Sequence, residues 1–226
     1  MLVKFKPISS AMIAAIAVAT LASPLVYAAD TAKPEVEQGV EVHAIERAAD
    51  KVSAHEVVSE VTEEVMSIVR KTQTKEVSVE DASVALDEIM SQVVDFRYIV
   101  FNVMGRDAVS NASREQLQEF AKVFKQGLID TYSKGMTTFS DNTVKVVPPK
   151  DGEDEGKSVT VFQEVKSDSG TSVVSYSMSV DRSGEWVLRN VVLNGINLGK
   201  QFQSQFRAAM KQNNKDLDAV IAAWNA

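Results

Sequence analysis

The residue types that most often carry out acid–base or nucleophilic chemistry are scarce in this chain of 226 residues. Histidine occurs twice, as His43 and His55, and cysteine is absent. A Ser-His-Asp or Cys-His nucleophile needs a base held rigidly in the core, and zinc needs three or four clustered ligands. Because both histidines fall in or near a polar, poorly patterned stretch, we interpret them as solvated surface residues. The sequence therefore predicts no catalytic residues, no metal site and no enzymatic activity.

Four carboxylates crowd one turn-rich segment, at Asp151, Glu153, Asp154 and Glu155. Paired carboxylates can cleave a glycoside or hold calcium. A charged loop that is flanked by glycines and lies between two strands is more often solvated. We therefore interpret this segment as an acidic hairpin tip.

The segment from Gly195 to Lys200 has a superficial likeness to a phosphate-binding loop. Gly195 and Gly199 are one residue too close together, and Gln201 stands where Ser or Thr would bind magnesium. We interpret the glycines as the turn from a strand into a helix. No nucleotide or other cofactor is expected.

The amino terminus has the pattern of a secretory signal. Lys4 and Lys6 precede an apolar run over 11–22 that is too short for a confident membrane span, and Pro24 ends the run before a cleavage site at Ala28. The sequence predicts a signal peptide over 1–28 that directs export from the cytoplasm, a flexible polar lead over 29–53 and one domain over 54–226. Cleavage would leave 22 basic and 31 acidic residues, a net charge of −9 that opposes binding to nucleic acid or loose adsorption to anionic lipid.

Helical periodicity dominates the chain up to about residue 135. It predicts helices over Val57–Val69, over Ala82–Val93 behind Ser78, and over 95–104 with an end at Gly105. Ser113 and Gln116 form a capping-box pattern, which explains the Asn-Ala-Ser triplet at 111–113 better than a glycosylation site does. The helix behind this cap is predicted to end near Gly135.

Alternating apolar and polar residues then predict four strands, over 143–147, 157–165, 172–180 and 185–193. The connections are rich in Gly, Asp and Ser, which suits antiparallel hairpins. Two further helices close the chain. The order of elements predicts an α+β fold, with a four-stranded antiparallel sheet and helices packed on one of its faces.

Large apolar residues are predicted to face one another across this sheet and its helices. Those on the helices are Phe96, Ile99, Val103, Phe120, Phe124, Leu128, Tyr132, Leu198, Phe202 and Phe206. Those on the strands and the turn after them are Val144, Val146, Val161, Tyr176, Met178, Leu188, Val192 and Ile196. Periodicity alone does not distinguish an ordinary filled core from a core that encloses a ligand.

Several short motifs in a fixed order resemble one protein family. They are Val94-Asp95-Phe96, Val103-Met104-Gly105-Arg106, Trp186, Val191-Val192, Gly195-Ile196-Asn197-Leu198 and Phe202-Gln203-Ser204-Gln205-Phe206. Together they resemble the MlaC, or toluene-tolerance, family over roughly 56–224. The family usually has Ser where this chain has Asn197.

The resemblance implies a periplasmic phospholipid carrier of the maintenance-of-lipid-asymmetry system. Such a protein holds acyl chains in an apolar pocket between sheet and helices, so the residues named above are expected to line that pocket. Implied partners are an outer-membrane lipoprotein complex and an inner-membrane ABC transporter with a lipid-binding subunit. Arg97, Arg106 and Lys200 are candidates for contact with the head group or with these partners. The sequence supports equally well the interpretation that these three residues are solvated surface charges.

Two other classes of function stay open at this point. A periplasmic chaperone or adaptor would bind an apolar protein segment in a surface groove rather than lipid in a closed pocket. A hydrolase has the least support, because no pair of nucleophile and base can be assembled.

Overall fold

The computed structural model describes residues 40–133, 143–168 and 170–224, apart from the side chains at 132 and 133. The helices of this part are α1 (Ala54–Gln73), α2 (Val79–Val93), α3 (Phe96–Asn111), α4 (Arg114–Ser133), α5 (Leu198–Gln212) and α6 (Leu217–Ala223). The strands are β1 (Thr143–Val146), β2 (Ser158–Ser167), β3 (Gly170–Val180), β4 (Trp186–Leu193) and β5 (Ile196–Asn197). The predicted signal peptide and the predicted end of α4 near Gly135 lie outside the described residues.

The sheet is antiparallel throughout, and its strands follow one another in chain order from β1 to β5. The predicted α+β class and antiparallel sheet are confirmed, but the sheet has five strands rather than four. The additional strand β5 is two residues long, too short to produce an alternating pattern in the sequence.

One face of the sheet is covered and the other is exposed. In β2, Val159 and Val161 are buried, whereas Thr160 and Phe162 between them are exposed. The helices α1, α2, α3 and α5 pack against this sheet. The inward residues of the strands therefore form the core, as the alternating pattern predicted.

Side-chain caps set the helix starts. Ser53 accepts a hydrogen bond from the backbone N–H of Glu56, whose carboxylate accepts one from the Ser53 backbone N–H. The predicted capping box at Ser113 is confirmed, because Ser113 Oγ accepts from Gln116 N (3.1 Å) and Gln116 Oε1 accepts from Ser113 N (2.9 Å). Such reciprocal bonds satisfy two backbone donors at a helix start.

The helix that was predicted to end at Gly105 is interrupted there, but the chain becomes helical again directly afterwards and continues to Asn111. Gly105 has φ 77° and ψ 164°, a combination that is accessible essentially to glycine alone. The first helical segment of α3 therefore ends at Gly105, as predicted, and a second segment follows the kink at this glycine.

The segment before α1 packs on the domain from residue 40 onward. Ile45 is buried in the core, Trp186 N donates to the Arg47 carbonyl (2.8 Å), and Ala48 forms a bridge with Glu185. The indole Nε1–H of Trp186 donates to the Val52 carbonyl (3.0 Å). Residues 40–53, which were assigned to the flexible lead, thus form part of the folded domain.

Candidate functional site

The apolar interior consists of two clusters of buried residues. The sheet cluster joins the inward faces of β2, β3 and β4 to α1, α2 and Ile45. The helix cluster joins α3, α4, α5 and α6. Phe96 and Ile99, both half-buried on the first turn of α3, pack against both clusters. We refer to the line along which the two clusters meet at these residues as the seam.

The predicted lining residues divide between the two clusters. In the sheet cluster, Val161, Tyr176, Met178 and Leu188 are buried, whereas Val144, Val146 and Leu198 are half-buried. In the helix cluster, Val103, Phe120, Phe124 and Phe206 are buried, whereas Leu128 and Phe202 are half-buried. Tyr132 lies in α4, and its side chain is outside the described residues.

The helix cluster is built around aromatic rings. Phe120 lies edge-on to Phe206, with centroids 5.2 Å apart, and Phe124 lies edge-on to Phe202, also at 5.2 Å. Trp224 completes the cluster, with its ring 5.0 Å from that of Phe120. Edge-to-face pairs at such distances are favourable beyond their area burial, so this half of the predicted lining is a well-packed core.

The prediction that Val192 shares a face with Leu188 is wrong. The register of β3 with β4 passes from Ser177 opposite Asn190 to Met178 opposite Leu188, so Arg189 is an extra residue on β4. A bulge of this kind reverses the alternation of side chains beyond it. Val191 and Leu193 are consequently buried, and Val192 points to the outer face.

The turn after β4 leaves Ile196 at the exposed edge of the sheet and leads directly into α5. Asn194 (φ 46°) and Gly195 (φ 82°) form a two-residue hairpin turn between Leu193 and Ile196, the geometry that Asn-Gly favours. Ile196 is 46% exposed at the sheet edge, so it does not contribute to the interior. Asn197 Oδ1 accepts a hydrogen bond from Lys200 N (3.0 Å), which caps α5.

A chain of polar side chains lies within the sheet cluster, beneath α1. The Tyr176 hydroxyl donates to Gln163 Oε1 (2.7 Å), and Gln163 Nε2 donates to Thr62 Oγ1 (2.7 Å). Thr62 Oγ1 in turn donates to the Val58 carbonyl (2.7 Å). Burial raises the pKa of the Tyr176 hydroxyl, which is therefore neutral and acts as a donor. Gln163 and Thr62 had no sequence signal, because a polar residue at a strand or helix position is ordinarily solvated.

An ion pair beside the seam holds the start of α3 against β4. Asp95 Oδ1 accepts from Tyr98 N (2.9 Å) and caps the helix, while Asp95 Oδ2 lies 3.2 Å from Arg189 Nε. The Arg189 guanidinium carbon lies 4.8 Å from the centroid of the Tyr98 ring. Asp95 N donates to the Leu188 carbonyl (3.0 Å). The position of Phe96 at the seam thus depends on this junction.

The three candidate contact cations are exposed at different places. Arg97 lies on α3 with its guanidinium 5.6 Å from the Phe101 ring centroid, Arg106 follows the kink, and Lys200 is in the first turn of α5. Within the described ranges, none of the three forms an ion pair. They are therefore available to an anionic group, but they do not form one cluster by any contact that the structure shows.

The interpretation of His55 as a solvated surface residue is wrong. His55 is 7% exposed at the start of α1, and its Nδ1 forms a close hydrogen bond with Oδ1 of Asp154. The acidic loop therefore folds back on α1 instead of being wholly solvated. His43 is exposed, as expected, with Nδ1 3.4 Å from the Glu64 carboxylate.

A cavity of about 550 Å³ lies between α2 and α4. Its walls include Val79, Val84 and Ile129 together with Glu88 and Asp130. None of the residues predicted to line a lipid pocket contributes to it. Sequence patterns did not indicate this cavity, because its walls are the faces of two helices whose proximity is decided by tertiary packing.

In the described part of the chain, including the cavity, no three His, Asp or Glu side chains come together as a metal site would require. Among these same residues, no helix combines the length and the apolar character that a membrane span requires.

These features define an α+β protein in which helices cover one face of an open antiparallel sheet around an apolar interior. A phospholipid-binding protein from Ralstonia solanacearum, solved in complex with a phospholipid, has a similar fold with a TM-score of 0.63. The match covers 76% of this chain and 94% of that protein, at 18% sequence identity. At this identity the likeness establishes the fold.

The sequence establishes the family. The family model described as "MlaC protein" matches residues 59–226. Toluene tolerance protein ttg2D of Pseudomonas putida is 34% identical over 172 residues, which cover 75% of this chain and 79% of that relative. The chain belongs to the MlaC family, which confirms the resemblance seen in its motifs.

Proposed function

We propose that this protein is a phospholipid carrier of the periplasm, without enzymatic activity. The observation that carries the proposal is that the chain belongs to the MlaC family and shares its fold with a protein that was solved with a phospholipid bound. The predicted signal peptide supports the periplasmic location.

The seam is where we place the acyl chains. Phe96 and Ile99 lie at the seam and are half-buried, and so are Leu198 and Phe202 on successive turns of α5, which pack against the sheet cluster and the helix cluster respectively. Leu128 on α4 and Val144 and Val146 on β1 are also half-buried, but β1 forms the edge of the sheet away from α3. Half-buried apolar side chains can move apart at a lower cost than fully buried ones, because they lose fewer contacts. Acyl chains entering there would replace contacts between the two clusters by contacts with lipid.

The physical need for such a carrier follows from the cost of exposing hydrocarbon. Burying one methylene is worth about 0.8 kcal/mol, so two acyl chains of about thirty methylenes in all would cost on the order of 20 kcal/mol to expose to water. A protein that keeps the chains dry removes most of this barrier. Energy for directional transport would come from the partner transporter.

The carrier would exchange lipid between an outer-membrane lipoprotein complex and an inner-membrane ABC transporter with its lipid-binding subunit. Arg97, Arg106 and Lys200 are proposed to meet the head group or these partners. A phosphate favours arginine and lysine because of their charge and their hydrogen-bond donors.

The decisive experiment is mass spectrometry of the mature protein purified from cells, followed by extraction with organic solvent. We expect phospholipid in the native complex and uptake of phospholipid from vesicles. Ile99→Trp and Phe202→Trp should each lower the bound lipid about tenfold, because overpacking costs about 1–3 kcal/mol and 1.4 kcal/mol is a factor of ten.

The control is Val173→Trp, which adds the same ring on the outer face of the sheet, where Val173 is 44% exposed. It should leave lipid content and uptake unchanged. Consistent absence of phospholipid from the native protein, together with no uptake from vesicles, would refute the carrier. Equal loss of lipid in Val173→Trp and in the seam variants would refute the location.

A further inference from the structure

The cavity between α2 and α4 has an apolar floor and an acidic rim. Ile129 on α4 is 3% exposed, whereas Val84 and Val79 on α2 are 60% and 37% exposed. These residues give the cavity an apolar strip that is open to solvent. Its volume of about 550 Å³ falls within the range of roughly 300–1,000 Å³ that is typical of binding sites.

Carboxylates line the rim on both helices. Glu80 and Glu88 are exposed on α2, and Asp130 on α4 accepts a hydrogen bond from Gln126 Nε2 (2.8 Å). Asp87 also lines the cavity but is neutralised by Lys125, whose Nζ lies 2.7 Å from Asp87 Oδ2.

In the described ranges, no lysine or arginine pairs with Glu80, Glu88 or Asp130. The rim therefore carries a surplus of negative charge.

The negative charge of the rim restricts which ligands the cavity, an open groove between α2 and α4, can bind. A phospholipid phosphate would face three carboxylates and be repelled, so the cavity is a different site from the seam. The carboxylates do not converge as metal ligands within the described part of the chain. An anionic membrane surface is disfavoured for the same reason as the phosphate.

We propose that the groove between α2 and α4 binds a basic amphipathic segment of a partner protein. Apolar side chains of the segment would cover Val79, Val84 and Ile129, and its lysines or arginines would reach Glu80, Glu88 and Asp130. A helix whose apolar residues recur at i, i+3 and i+4 fits such a groove. The inference rests on the proposed function in so far as a carrier must dock on its partners, but the groove can be tested without lipid.

The probe is a labelled peptide of roughly 14 residues with Leu at i, i+3 and i+4 and Lys at the other positions, the pattern of a helix that binds in a groove. Binding to the mature protein is measured by fluorescence anisotropy, and the contacted residues are mapped by NMR chemical shifts. We expect saturable binding, shifts centred on α2 and α4, and weaker binding as salt is raised. A peptide with Glu in place of Lys should not bind.

Two variants and one control sharpen the test. Glu88→Lys combined with Asp130→Lys should weaken binding at least tenfold, and Val84→Asn should also weaken it, because it makes the strip polar without changing its charge. Glu63→Lys combined with Glu155→Lys changes the net charge equally at exposed positions outside the groove and should alter binding less than twofold. Lipid content measured by mass spectrometry should be the same in all these proteins.

Three results would overturn the inference: no saturable binding of the Lys-Leu peptide, shifts that map outside α2 and α4, or equal weakening in the control. Self-association of the free protein through this groove, detected by sedimentation and abolished by Glu88→Lys with Asp130→Lys, would assign the surface to a second copy and also refute it. A protein that binds the peptide but contains no phospholipid would refute the carrier and leave the groove intact.

Discussion

Tyr176 carries a hydroxyl into the apolar face of the sheet, and its partner there is a side chain of the neighbouring strand. The Tyr176 hydroxyl donates a hydrogen bond to Gln163, Gln163 donates one to Thr62, and Thr62 donates one to the Val58 carbonyl of α1. A buried polar chain of this kind is favourable when each member has a partner and costly when one is removed. It ties α1 to the sheet at a particular register.

Tyr176→Phe should therefore destabilise the fold by about 1–3 kcal/mol, because Gln163 loses a buried hydrogen bond while the ring is retained. The free energy of unfolding is measured by urea denaturation. The same change at Tyr98, which is 44% exposed, is the matched control and should cost under about 0.5 kcal/mol. Equal effects at the two positions would contradict the role of the buried chain.

Asp154 presents a second case at the scale of single residues, since it pairs with the buried His55. Asp154→Ala removes the hydrogen-bond partner of the buried imidazole, so we expect the free energy of unfolding to fall by about 1–3 kcal/mol. Asp151→Ala, an exposed change three residues away in the same loop, should have little effect. A loss in Asp151→Ala as large as in Asp154→Ala would show that the loop, not the pair, is responsible.

At the scale of elements, short irregularities decide which way apolar side chains point. The bulge at Arg189 turns Val191 and Leu193 inward and Val192 outward, and the kink at Gly105 lets α3 change direction between the seam and α4. Neither feature alters the apolar content of its element. Both alter which residues can reach the interior.

Gly105→Ala tests the kink. No heavy atom lies within 4 Å of an added Cβ, so the cost is backbone strain at φ 77° rather than a clash. We expect the free energy of unfolding, measured by thermal or urea denaturation, to fall by about 1–3 kcal/mol. Ser110→Ala, an exposed helical position nearby, should be nearly neutral. An unchanged stability in Gly105→Ala would mean that α3 can straighten without penalty.

At the scale of the whole molecule, the interior is divided into a sheet cluster and a helix cluster that share Phe96 and Ile99. A ligand held between two clusters stabilises both of them together, because it binds the folded state and not the unfolded chain. Stability should therefore depend on lipid occupancy.

Protein stripped of lipid by refolding from denaturant should unfold at a lower temperature than protein purified with its lipid. The bound lipid should add about 2.7 kcal/mol to the free energy of unfolding when its concentration is a hundred times its Kd. Differential scanning calorimetry measures this difference, and addition of phospholipid vesicles should restore the higher value. In Ile99→Trp the difference should be small. A lipid-independent melting temperature in the unaltered protein would argue against binding between the clusters.

The sequence by itself determined the helices and long strands, the capping box at Ser113, the turn at Gly195 and membership of the MlaC family. These follow from local periodicity, from backbone preferences of single residues and from motifs in a fixed order. Each of them is decided by residues that are close together in the chain.

Tertiary structure alone decided that His55 is buried against Asp154, that Val192 faces outward, that the apolar residues form two clusters and that a groove opens between α2 and α4. Each of these depends on which distant segment covers a given side chain. Periodicity reports that one side of an element is apolar, but the partner that covers it is chosen by packing among elements that are far apart in the sequence.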